Sequence, residues 1–174
     1  INLLKKINLE NKFKKLGVSI DNVKELKNVM RNDSIKIIQI PFNILDWRWR
    51  KNNLLERVNK KNKKIYVRSV LLQGLLVNDK KKWPISLKKY YKKTQKDINF
   101  FVKQFNRLNA LDLCIAYVKS RKNIHKIIIG VDNINQLVTL SHLFKRKNLN
   151  KKQINLIEKK FQYHQQKILT PGKW

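Results

Sequence analysis

Apolar positions along the chain alternate between two rhythms. Four short runs are nearly continuous in apolar and β-branched residues: 13–20 (FKKLGVSI), 34–40 (SIKIIQI), 64–72 (KIYVRSVLL) and 125–131 (HKIIIGV). Runs of this length and continuity predict strands of a parallel sheet covered on both faces, rather than a half-exposed antiparallel one. Between them the period lengthens to that of a helix. Asp21 predicts an N-cap ahead of Val23, Leu26, Val29 and Met30, and residues 51–60 place Leu54, Leu55 and Val58 on one stripe. The third connection is the longest and predicts two helices. Phe100, Phe101, Phe105 and Leu108 mark one; Leu111, Leu113, Cys114, Tyr117 and Val118 mark the other. After the fourth run come a stripe of Ile134, Leu137, Leu140, Leu143 and Phe144 and another of Ile154, Leu156, Ile157 and Phe161. The last helix is expected to run out at Thr170-Pro171-Gly172, and a leading helix is predicted over residues 2–11.

Strands alternating with helices in this order predict an α/β fold with parallel strands and right-handed crossovers. An open doubly wound sheet and part of a (β/α)8 barrel both satisfy it. No internal repeat and no Gly/Ser-rich linker divides the chain, so residues 1–174 read as a single domain.

Composition narrows the classes. With 42% hydrophobic residues spread along its length, the chain is not of the disordered type. One cysteine, Cys114, excludes a disulfide framework and an all-cysteine zinc site, and it lies on an apolar helical face as a core residue. His125, His142 and His164 lack ligand spacing, so no metal is expected. No apolar stretch is long enough to cross a bilayer and none has the shape of a signal peptide, which makes the cytoplasm the expected location. The chain begins with Ile1 rather than Met, as a processed chain or a piece of a longer one would.

Charge adds a second possibility. Lys and Arg number 41 against 11 Asp and Glu, a formal +30, which on a chain of this size is the footprint of a nucleic-acid or anionic-surface binder. Yet 33 of the 41 cations are Lys, and Asn and Ile are also abundant, as A/T-rich coding favours. The scarcity of Glu does not fit that explanation. Trp47 and Trp49, interleaved with Arg48 and Arg50, have the residue types that stack bases and hold phosphates, and equally those that pack a loop onto a neighbouring helix. Lys80, Lys81 and Lys82 read as a solvated loop.

Five strings in order carry more information: GVSI (17–20), IQIPFNILD (38–46), VRSVLLQGLL (67–76), LDLCIAYVKS (111–120) and IIIGVDNINQL (127–137). The series resembles the C-terminal half of the aldo/keto reductase family, and the closing Pro171-Gly172-Lys173-Trp174 resembles the ending of many bacterial members. The resemblance implies a parallel (β/α) barrel, here about four β/α units of a TIM barrel plus a C-terminal helix. It also implies an oxidoreductase that moves a hydride between NADP or NAD and a small-molecule carbonyl or alcohol. A basic nucleic-acid- or ribonucleoprotein-binding protein derived from that fold is the alternative.

In such barrels functional residues sit at the C-terminal ends of strands and in the loops beyond, where Ser19, Gln39 and Asn43 fall. The resemblance assigns Ser19 and Gln39 to the nicotinamide carboxamide, which a hydroxyl and an amide can satisfy. A turn or cap serves Ser19 as well. Many members carry an aromatic residue at the position of Arg68; a guanidinium can stack there or hold an anion. Ser69, Leu71, Gln73 and Gly74 are then the loop that wraps the pyrophosphate. Gly130, Asp132 and Asn133 form the adenosine turn, with Gln136 and Thr139 on the following helix. Asp132 where members often carry Lys or Arg favours ribose hydroxyls over a 2′-phosphate, and so NAD, unless Lys145 and Arg146 reach the site.

The proton donor of the family is a Tyr, assisted by Lys, Asp and His, all in the first half of the barrel. Tyr66, Tyr90, Tyr91, Tyr117 and Tyr163 do not match its position, so no catalytic residue is assigned and the chain alone is expected to be inactive. The first and fourth strands would be unpaired edges, exposing apolar surface and favouring association.

Overall fold

A computed structural model describes residues 13–162, 164 and 166–174. The helix predicted over residues 2–11, and Tyr163, lie outside them. Four strands, β1 (Leu16–Ser19), β2 (Ile35–Pro41), β3 (Lys64–Arg68) and β4 (Lys126–Ile127), form one sheet in the order β1-β2-β3-β4, every pair parallel. A doubly wound sheet reverses its strand order at a switch point. This order never reverses, so the sheet is four consecutive units of a β/α-barrel wall. Six α-helices among the described residues accompany it: α1 (Val23–Met30), α2 (Leu54–Lys60), α3 (Lys88–Gln104), α4 (Ala110–Lys119), α5 (Ile134–Lys145) and α6 (Lys151–Lys160).

The central strands form as their composition requires. Ile35, Ile38, Ile40, Ile65 and Val67 are buried, and α4, apolar nearly all round, is buried from Asp112 to Val118. Cys114 is fully buried there, and desolvation pushes its thiol up to about 12, as a core residue. Two carboxylates share the interior. Asp112 is held by Arg107, by Arg146 Nε at 3.1 Å and by the Leu108 amide at 3.0 Å. Asp46 is held by Arg48 through bonds of 2.9 and 2.7 Å. At β1, Gly17 is required by close approach: a Cβ there would lie 3.1 Å from Ile37 Cβ.

Several boundaries differ from expectation. β1 covers only Leu16–Ser19, and its residues alternate between half-buried and exposed because Leu16 and Val18 pack against the core while Gly17 and Ser19 lie on the opposite, open face. β4 pairs over two residues, after which only the Ile128 amide still bonds to Val67 O, at 2.8 Å. The third run leaves the sheet at Ser69, where φ turns positive. Asp21 is not the cap of α1. Asn22 is, its Oδ1 accepting from the Lys24 and Glu25 amides, while Asp21 reaches Arg68 instead. The predicted helix over 51–60 begins at Leu54, after a 3-10 turn that is broken by positive φ at Asn52 and Asn53. Leu108 lies past the end of α3 and is exposed. The last helix stops at Lys160, and the tail continues as 3-10 turns at Gln166–Leu169 and Pro171–Lys173.

Candidate functional site

Parallel register aligns the C-terminal ends of the first three strands: Ser19 lies opposite Gln39, and Pro41 opposite Arg68. The side chains there form one polar cluster. Ser19 Oγ donates to Gln39 Oε1 at 3.3 Å, and Arg68 Nε donates to Ser19 Oγ at 3.3 Å. The other arms of the guanidinium reach Ser69 Oγ at 3.4 Å and Asp21 Oδ1 at 2.5 Å. Asn43, buried just past β2, sends Nδ2 to the Ser69 carbonyl at 3.4 Å while its Oδ1 accepts from the Leu45 amide at 3.0 Å. Ser69 thus joins the strand ends to the loop that follows β3.

That loop is conformationally costly. Ser69, Leu72 and Gln73 all have φ near +50°, a region that L residues other than Asn and Asp rarely enter. Gly74 follows with φ +82°, and a Cβ on it would sit 2.5 Å from Asn78 Nδ2. Turn bonds from Leu72 to Ser69 O, Leu75 to Leu72 O and Val77 to Gly74 O hold the loop's shape. Among the described residues no acceptor meets the amides of Leu71, Gln73 and Gly74. Opposite the loop, β4 opens into Gly130, Asp132 and Asn133, and Asn133 caps α5 by accepting from the Gln136 amide at 3.0 Å. Gln136 reciprocates, accepting from the Asp132 amide at 2.9 Å and donating to Asp132 Oδ2 at 3.3 Å.

Between loop and turn lies a cleft of about 910 Å³. Its walls include Ser69, Leu71, Gln73 and Gly74 on one side and Gly130, Asp132, Asn133, Gln136 and Thr139 on the other. Ser19, Gln39 and Arg68 adjoin it at the strand ends without lining it. Arg146 is turned away, bound to Asp112, and neither it nor Lys145 lines the cleft, because both lie at the far end of α5, about 15 Å along its axis. Lys82, exposed as a residue of a solvated loop, also sits on the cleft wall. Sequence reasoning also missed Asp21 as the partner of Arg68, since only strand register brings them together.

The Trp–Arg motif belongs to the scaffold. Trp49 is buried, so it cannot stack a base; Trp47 Nε1 donates to the His164 carbonyl at 2.8 Å; Arg48 is held by Asp46. Arg50 donates to the Phe161 carbonyl at 3.3 Å. This stretch packs the tail against the barrel wall.

Parallel strands in sequential order, with polar groups gathered at their carboxyl ends and in the loops beyond, define a protein of the β/α-barrel class. Within it, the chain belongs to the aldo/keto reductase family, whose sequence profile (Aldo/keto reductase family) matches residues 1–162. No curated protein matches the sequence. Similar solved structures include aldo-keto reductase AKR11C1 from Bacillus halodurans in its holo form, 17% identical over 91% of this chain and 54% of that one, with a TM-score of 0.72. Glycerol dehydrogenase AKR11B4 from Gluconobacter oxydans is 16% identical over 90% of this chain and 51% of its own, with a TM-score of 0.70. A thermostable aldo-keto reductase, Tm1743, is 16% identical over 91% of this chain and 52% of that one, with a TM-score of 0.67. The chain therefore spans about half the length of these relatives. No helix among the described residues is long and apolar enough to cross a membrane.

Proposed function

We propose that this chain supplies the dinucleotide-binding half of an NAD(P)-dependent oxidoreductase of the aldo/keto reductase type, acting on a small-molecule carbonyl or alcohol. The observation that carries the proposal is convergence: Ser69, Leu71 and Gly74 meet Gly130, Asp132, Asn133 and Gln136 across one cleft, although the two groups are far apart in sequence. The cleft fits a dinucleotide. Amides of Leu71, Gln73 and Gly74, which meet no acceptor among the described residues, suit a pyrophosphate, and the capped N-terminus of α5 adds a positive dipole end. Ser19 and Gln39 offer a carboxamide a hydroxyl and an amide. When bound, the nicotinamide supplies the hydride; the residues of this chain bind and orient the cofactor.

No side chain of this chain is assigned the proton transfer. Tyr117 is buried and its hydroxyl donates to Glu158, with burial pushing its pKa up. Asp132, locked by Gln136 on the cleft wall, presents a carboxylate where a 2′-phosphate would be repelled, and this supports NAD over NADP. Calorimetric titration of the purified chain with NAD+ and NADP+ tests the proposal. NAD+ should bind more tightly, and Asp132→Lys should reverse the order. Heat from neither dinucleotide at millimolar concentration would exclude the proposal. The chain alone should show no turnover of NADH or NADPH with a panel of aldehydes.

A further inference from the structure

A second groove is separate from the cleft and slightly more voluminous. It holds about 1020 Å³ between α1 and α2 and shares no lining residue with the dinucleotide cleft. We propose that it is a docking site for an acidic amphipathic helix of a partner protein. Both walls are cationic. Lys24, Lys27 and Arg31 recur at helical spacing along α1 and just beyond it, and Arg57 and Lys61 do the same on α2. All five are exposed, and none lies within ion-pair distance of a carboxylate among the described residues. Among the described residues, Asp33 is the single acid on the lining.

The floor between these walls is apolar. Val23, Met30 and Leu54 are half-buried there above the buried Leu26, and Trp47 closes one end. A cationic rim over an apolar floor matches one kind of occupant. A helix with apolar side chains at i, i+3, i+4 and i+7 seats that face on the floor and sends carboxylates to both rims. A divalent cation is excluded by the charge of the walls. A base-stacking nucleic acid needs an open aromatic face. The Trp47 ring already carries Lys51 Nζ at 4.5 Å from its centroid, and its indole N–H is bonded to the tail. The net charge of +30 draws an acidic partner toward the molecule over long range.

The probe is a fluorescein-labelled peptide of Leu, Ala and Glu, patterned so that Leu forms one helical stripe and Glu flanks it. It is titrated with the full chain and followed by anisotropy. The peptide should bind, and raising NaCl from about 0.05 to 0.3 M should weaken binding at least about tenfold. Charge reversal at Lys27→Glu with Arg57→Glu should weaken it by roughly tenfold or more, with Lys24→Glu and Lys61→Glu as a second pair should the first fail to fold. The α3 pair Lys92→Glu and Lys96→Glu should change it less than about twofold, and a shuffled peptide of the same composition should bind about tenfold more weakly. Equal binding of the shuffled peptide, equal loss from the α3 pair, or tighter binding of oligouridine RNA through the same groove residues would overturn the proposal.

Discussion

Arg68 reaches three side chains at once: Ser19 on β1, Ser69 in its own loop and Asp21 in the loop beyond β1. It thereby spans the end of β2 and fixes the hydroxyl that faces Gln39. Its ion pair with Asp21 is short but wet, since the two side chains are 30% and 78% exposed. Such pairs contribute about 0–1 kcal/mol to stability. On the proposed function, the arginine orients Ser19 rather than holding the fold together. Arg68→Met should shift the melting temperature by no more than about 3 °C, measured by circular dichroism. The same substitution should weaken NAD+ binding by roughly tenfold, because Ser19 loses the group that orients it. Unchanged affinity with a large drop in melting temperature would assign Arg68 to the scaffold instead. Asp112 shows the opposite balance. Arg107, Arg146 and the Leu108 amide converge on a carboxylate with no exposure, and removing one member of a buried network leaves uncompensated charge. Asp112→Ala should cost about 3–5 kcal/mol, read from urea unfolding, without altering the cleft directly.

At the scale of elements, the physical content of the sequence was uneven. β2 and β3 were legible from their apolar runs, but the expected cover on both faces is not found: Ile38, Ile40, Ile65 and Val67 are buried on one face, while Ile37, Gln39, Tyr66 and Arg68 on the other are half-buried. β1 and β4 have the same kind of run but one neighbour each among the described residues, and no property of HKIIIGV states where pairing stops. The stripe on α5 was legible as a period, yet its covering was not: Leu140 and Leu143 are buried while Ile134 and Leu137 are 67% and 51% exposed. The N-cap of α1 passed from Asp21 to Asn22 because a tertiary partner, Arg68, competes for the aspartate. Loop residues of the cleft were legible through an ordered set of motifs. Asp21 and Lys82 were not, because their places depend on strand register and on how the long β3–α3 connection folds back. The positive φ values at Ser69, Leu72 and Gln73 were also invisible, since none of those residue types signals such a conformation.

Among the described residues the sheet is left with two open edges. β1 and β4 are the outer strands, and beside β4 the exposed Ile128, Val131, Ile134, Leu137 and Val138 form an apolar strip. Unpaired edges beside apolar surface favour association. Sedimentation of the purified 174-residue chain should show species heavier than one copy, reduced by Leu137→Glu with Val138→Lys; a single light species at every concentration would contradict that. The central claim, that the β3–α3 loop and the β4–α5 turn together hold a dinucleotide, is tested most directly by hydrogen–deuterium exchange with and without saturating NAD+. Slower exchange is predicted in peptides covering residues 69–78 and 130–140, with residues 48–61 unchanged. Protection absent from both cleft segments, or confined to residues outside them, would contradict the claim.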